Sequence, residues 1–160
     1  MTIWGALAGG FVGTLVLTTW LQAASALGLT RVDLPFLLGT AFTGDRVRAK
    51  AVGYALHFIV GLVFALVYFA IFAAIGESGW WLGAAFGLVH GVFAVTALVS
   101  ILLPVVHPRM ATELSATGSN ALLEPPGFMM LNYGARTPLV TIAGHLAYGA
   151  IVGGFVWLSG

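Results

Sequence analysis

The chain has 160 residues, of which 60% are hydrophobic and 7% charged, with a formal net charge of +1 and no Cys. A soluble domain carries roughly 25% charged residues, so this surface could not stay dispersed in water, which excludes a soluble enzyme, a nucleic-acid binder and a disordered tail. The missing Cys excludes a disulfide framework, a thiolate zinc site, a Cys-ligated iron–sulfur cluster and c-type haem attachment.

A transmembrane helix needs ~20 consecutive apolar residues, and four stretches qualify within one expected domain, 1–160. The first runs from about Ile3 to Leu27. It lacks a basic n-region and its apolar run is too long for a signal peptide, so a mature helix is expected. A long connection, about Gly28 to Lys50, follows. There Asp33 is placed to cap a short helix with Pro35 in its first turn. Phe36, Leu37, Leu38 and Phe42 are too apolar for a solvated loop and should lie in the interface or fold back. Asp45 is placed to cap the second span, about Ala51 to Ile75. Gly76-Glu77-Ser78-Gly79 is a tight turn by composition. The third span, about Trp80 to Val106, is ended by the prolines around His107. The second long connection, about His107 to Thr137, carries the rigid turn Pro125-Pro126-Gly127. The fourth span runs from about Pro138 to Leu158, and none of the four contains Asp, Glu, Lys or Arg. The expected fold is an all-α polytopic membrane protein, four transmembrane helices in a bundle.

Orientation follows from charge placement. Arg31, Arg46, Arg48 and Lys50 lie in the first long connection, and Arg109 and Arg136 in the second. An even number of spans separates the two, so every Lys and Arg is on one side, which the positive-inside rule makes cytoplasmic. Both termini then face outward. Trp4, Trp80, Trp81 and Trp157 fall at the opposite boundary, as an interfacial aromatic belt would. A bacterial inner-membrane location is expected.

The halves look alike. The first span carries Gly5, Gly9 and Gly13 and the third Gly79, Gly83, Gly87 and Gly91, rows that let membrane helices approach closely. Arg48 precedes His57 by nine residues, as Arg136 precedes His145, and each His is followed by Gly four residues on. Asp33-Leu34-Pro35 resembles Glu124-Pro125-Pro126, and Thr18 matches Thr96. These matches predict a parallel two-helix repeat, about 1–76 and 77–160, of the kind membrane carriers use.

His57 belongs to the row Gly53, His57, Gly61, Ala65, and His145 to Thr141, His145, Gly149, Gly153, so each sits on a face expected to pack against another helix. His90 lies beside Gly87 and Gly91. At ~1.5 Å per residue, His57 and His145 lie ~13 Å from their Arg anchors and His90 ~16 Å from Gly79, all near the midplane of a ~30 Å hydrocarbon layer. Three readings stay open. Neutral imidazoles at His57, His90 and His145 could bind a transition metal or ligate haem, although no cofactor is required. They could form a proton or substrate site. Or they could hydrogen-bond across helices, with Tyr54, Thr96, Ser100, Thr141 and Tyr148 available. No carboxylate lies within a span to balance a metal-bound His.

Asp33, Arg48, His107, Glu124 and Arg136 are expected to form a cytoplasmic polar mouth, Asp33 and Glu124 pairing with Arg48 and Arg136, either to fix topology or to lead toward the histidines. Apolar residues near it could meet quinone or lipid tails. No metalloprotease, nucleophile-elbow, phosphate-loop or dinucleotide motif is present, and no span holds paired carboxylates, so no enzyme is expected.

Tyr54-Ala55-Leu56-His57-Phe58, the run from Trp81-Leu82-Gly83 through His90 to Leu103-Pro104, and Gly144-His145-Leu146 resemble small bacterial inner-membrane proteins of the YagU-like kind. The resemblance covers roughly the last two thirds of the chain. It implies the bundle and the His positions and supplies no activity. The Thr43-Gly44-Asp45-Arg46 run lies outside it. The leading functional expectation is a non-enzymatic accessory or scaffold subunit, in contact with lipid and with other membrane subunits or further copies of itself. The alternative is a small carrier or cofactor-binding protein using the midplane histidines.

Overall fold

The computed structural model describes residues 1–111 and 123–160, so part of the second long connection lies outside the described residues. The chain is all-helical: α1 (Ile3–Ala26), the short α2 (Leu34–Gly39), α3 (Arg46–Ile75), α4 (Trp80–Phe93), a π-helical continuation (Ala94–Leu102), α5 (Leu103–Val106) and α6 (Thr137–Leu158). α1, α3, the continuous stretch Trp80–Val106 and α6 are each long and apolar enough to cross a membrane. All six Lys and Arg lie at the end of these helices that carries the two long connections, here called the basic end.

Local chemistry sets the helix ends. The Thr2 hydroxyl accepts from the Gly5 amide at 3.1 Å. Asp33 caps α2 by accepting from the Phe36 amide at 3.2 Å, with Pro35 in the first turn, where its missing N–H costs nothing. Asp45 caps α3 by accepting from the Arg48 amide at 2.8 Å. Because that cap starts the helix, α3 begins at Arg46 and not near Ala51; Arg46, Arg48 and Lys50 are helical. α3 ends at Gly76, whose φ of 76° only Gly adopts without strain. The third span changes register in its second half, where the Leu103 amide bonds the Leu98 carbonyl, five residues back. This wide winding runs up to Pro104, which has no N–H to give to an α-helical ladder.

Glycine decides the packing. A Cβ at Gly9 would meet Val152 and Phe155, and one at Gly13 would meet Tyr148, so the α1 row lies on α6. Cβ atoms at Gly83, Gly87 and Gly91 would fall on Gly149, His145 and Ile142. Both rows therefore close on the same helix, from two sides. The other face of α1 meets α3, Gly10 against Ala65 and Thr14 against Gly61. The spans thus follow one another in space as α3, α1, α6, α4, an open arc. Burial agrees: 44% of the apolar window of α1 and 50% of that of α6 is buried, against 22% in α3 and 17% in the third span. α3 and α4, at the ends of the arc, scarcely touch backbone to backbone. The space between them is spanned by aromatic rings, with Phe72 stacked on Phe86 at 5.4 Å and Tyr68 edge-on to Phe86 at 5.9 Å.

At the basic end, α2 lies on the first turns of α3, Gly39 against Ala49 and Gly53 against Pro35. The turns over Phe128–Tyr133 kink at Met129 and Met130, both left-handed, with φ of 50° and 62°.

Candidate functional site

The arc encloses a cavity of about 240 Å³. All four spans contribute, and His57, His90 and His145 all line it, together with Thr14, Thr141 and Tyr148; the remaining lining is apolar or glycine. The three histidines expected at one depth thus share one space.

Each imidazole is fixed through Nδ1. That of His57 lies 3.0 Å from the Thr18 hydroxyl on α1. That of His145 donates to the Thr141 carbonyl at 2.8 Å, one turn back on α6. That of His90 lies 3.3 Å from the Tyr68 hydroxyl on α3. The His90 ring sits between Phe64, 3.9 Å away centroid to centroid, and His145, edge-on at 4.7 Å. His57 and His145 are buried, and the rows that carry them face other helices, as the small-residue spacing requires. Of the partners the sequence offered, His145 uses only the Thr141 carbonyl. The hydroxyls of Thr96 and Ser100 turn back to the Val92 and Val95 carbonyls, and Tyr148 donates to the Gly61 carbonyl at 2.5 Å. Thr18 and Tyr68 are the partners the sequence reading missed. Thr18 continues the Gly10, Thr14 row at spacing four, which marks it as facing the next helix.

Among the described residues no three His, Cys, Asp or Glu are gathered as a metal-holding group. As placed, His57, His90 and His145 line one cavity without being gathered as the metal site the sequence allowed, and no carboxylate among the described residues lines that cavity beside them.

The cavity has a closed and an open side. Val32, Leu34, Leu38 and Met130 floor it at the basic end, and Phe64 and Tyr148 bound it toward the turn end. Laterally it reaches the outer surface between α3 and the third span, because Val60, Leu102 and Val106 line it and are also exposed. The winding of Ala94–Leu102 turns Ala94, Leu98, Val99 and Leu102 toward this space.

The five residues expected as one polar mouth are not brought together. Asp33 pairs with Lys50 at 2.8 Å and Glu124 with Arg31 at 3.2 Å, instead of with Arg48 and Arg136. The earlier start of α3 explains this, since it sets Lys50 in a helical turn beneath α2, whose first residues Asp33 caps. Arg48 and Arg136 form no ion pair among the described residues. His107 is buried: its Nε2 donates to the Leu37 carbonyl at 3.0 Å while its Nδ1 accepts from the Arg109 amide at 3.2 Å, pinning α2 to the end of the third span. Arg31, Asp33 and Glu124 instead border a second, smaller cavity of about 110 Å³ with Tyr133. The Tyr133 hydroxyl donates to the Glu124 carbonyl at 2.7 Å, and burial, then the Glu124 charge, pushes its pKa up to about 12. The apolar floor separates this polar group from the histidines. Compared with family models, curated proteins and solved structures, the chain has no match.

Proposed function

We propose that the chain is a four-helix inner-membrane bundle, with its basic end in the cytoplasm and both termini outside, that binds an uncharged apolar molecule of the membrane without transforming it. One observation carries this reading: a cavity of about 240 Å³ with three imidazoles on its wall and a lateral opening between α3 and the third span. Ligand pockets in proteins are mostly apolar with a few placed polar groups, and this lining fits that description. Among the described residues no Lys, Arg, Asp or Glu lines it, so a charged ligand would be desolvated without a counter-charge. The likeness to YagU-like proteins and the two-helix repeat belong to this reading; α1 packs on α3, and α4 on α6, within the two halves, although only α1 and α6 meet closely between them. The accessory-subunit reading needs no such cavity.

The test is photolabelling in lipid nanodiscs with a diazirine-bearing alkane. Cross-links concentrated on Val60, Leu98 and Leu102 support binding, and Leu98→Trp, which fills the cavity, removes them. Labelling spread evenly over the exposed apolar faces and unchanged by Leu98→Trp overturns it and favours the accessory subunit.

A further inference from the structure

The hydrogen-bond network fixes the tautomers of two histidines, and the tautomers specify what a ligand must bring. The Thr18 hydroxyl has one hydrogen, and that hydrogen is engaged with the Thr14 carbonyl, 2.6 Å away. A carbonyl can only accept, so Thr18 Oγ1 has lone pairs alone to offer to His57. The 3.0 Å contact is therefore an Nδ1–H of His57 donating to Thr18. The same logic applies to His145, whose Nδ1 faces a carbonyl, that of Thr141, and must carry the hydrogen. A neutral imidazole has one N–H, and among the described residues neither ring has a carboxylate beside it in the cavity to hold a second proton. The Nε2 atoms of His57 and His145 are thus bare acceptors.

Two hydroxyls of the lining have the same bias. Thr14 donates to the Gly10 carbonyl at 2.7 Å, and Tyr148 donates to the Gly61 carbonyl. Thr141 Oγ1 is buried with no partner among the described residues and can accept from a donor or give its own hydrogen. A ligand presenting carbonyl or ether oxygens would meet lone pair with lone pair at these two imidazoles.

We infer that the cavity selects an uncharged amphipath whose polar end is a hydroxyl, an alcohol or phenol on an apolar chain, taken laterally from the membrane between α3 and the third span and held through donation of its one hydrogen to Nε2 of His57 or of His145. The inference rests on the binding reading above and deepens it.

Two measurements test it. Nitrogen-15 NMR of histidine-labelled protein in nanodiscs reads the tautomers directly: two rings with hydrogen on Nδ1 and an unprotonated Nε2 are expected, and hydrogen on Nε2 of His57 or His145 overturns the assignment. Displacement of the diazirine probe then compares 1-dodecanol with its methyl ether. Loss of one hydrogen bond lowers affinity about tenfold, so the alcohol should displace at about one tenth of the ether concentration. In His57→Phe/His145→Phe the two should converge. Thr18→Val, which leaves both imidazoles in place but frees His57 to move its hydrogen to Nε2, should narrow the ratio even if the double variant fails to fold. Equal displacement by alcohol and ether in the unaltered protein overturns the hydroxyl inference while leaving cavity binding intact; absence of specific labelling overturns both. A 4-alkylphenol and a diacylglycerol, run beside dodecanol, identify which hydroxyl source fits.

Discussion

Gly83 and Gly149 meet backbone against backbone: a Cβ added to either would fall on the carbonyl oxygen of the other. Neither side can give way by turning a side chain, because the obstacle is main chain on both helices. Gly149→Ala and Gly83→Ala should each force α4 away from α6 and destabilise the protein by about 1–3 kcal/mol, read as a lower unfolding midpoint in detergent. Gly154→Ala, on the same helix, is the contrast. A Cβ there meets only Trp80 Cβ at 3.9 Å, and replacing a helical Gly by Ala is worth up to about 1 kcal/mol. It should be neutral or stabilising.

How much of this was legible in the sequence depends on the kind of force involved. The first, third and fourth spans fall within one residue of their expected ends, because uninterrupted apolar runs meeting Gly, Pro or charge define them. The caps at Asp33 and Asp45 were legible for the same local reason. The start of α3 was not, since Arg46, Arg48 and Lys50 look like a loop until the cap is credited with carrying the helix through them. Gly rows announce close contact without naming the partner, and nothing in the spacing says that Gly13 and Gly87 both close on α6. The histidines were placed at one depth by counting, but Thr18 and Tyr68 become their partners only through the order of the arc.

His107 shows how a residue that reads as polar lining can be structural. Its imidazole bridges the Leu37 carbonyl and the Arg109 amide out of solvent. His107→Ala takes the partner from the half-buried Arg109 amide, while the Leu37 carbonyl keeps the Thr40 hydroxyl at 2.9 Å, and should destabilise the protein by about 1 kcal/mol. Thermal unfolding should register this loss, while probe labelling of the cavity at temperatures where the protein stays folded should be unchanged.

The pair Lys50–Asp33 separates charge from capping. Its side chains are 53% and 31% exposed, so the ion pair itself contributes little. The Asp33 oxygen on the Phe36 amide contributes more, as Ncap residues typically do. Asp33→Asn keeps an acceptor and should cost well under about 1 kcal/mol, whereas Asp33→Ala should cost about 1 kcal/mol. Chemical denaturation of both variants at two salt concentrations checks the ranking, with salt affecting only the protein that retains the pair.

Tyr133 supplies an alkaline signature. Its folded pKa is raised from 10.0 to about 12, chiefly by burial, which favours the neutral phenol. The stabilisation linked to that shift is therefore complete below pH 10 and is lost as pH rises from there through about 12. Tyr133→Phe should remove this segment of the stability profile and, by deleting the bond to the Glu124 carbonyl, cost about 0.5–1.5 kcal/mol at neutral pH. Unfolding midpoints measured between pH 8 and about 12 in both proteins decide it; parallel curves would refute the assignment.

Ser100 links the unusual winding of the third span to the floor of the cavity. Its hydroxyl donates to the Val95 carbonyl, five residues back as π-helical geometry allows, and accepts from the Met130 amide at 3.2 Å. Met130 is buried, lines the cavity and sits at a φ of 62°, a conformation that disfavours a side chain and persists only where neighbours hold it. Ser100→Ala removes one of the two acceptors of the Met130 amide and leaves it only the Gly127 carbonyl, at 3.1 Å. The floor should then open more often than the helices unfold. Hydrogen exchange at the Met130 amide should speed up by about tenfold, the equivalent of one lost hydrogen bond, with exchange in the middle of α6 unchanged. If Met130 exchanges at its original rate in Ser100→Ala, the kinked turns are held by their own backbone bonds and apolar packing, and the hydroxyl is incidental to the floor.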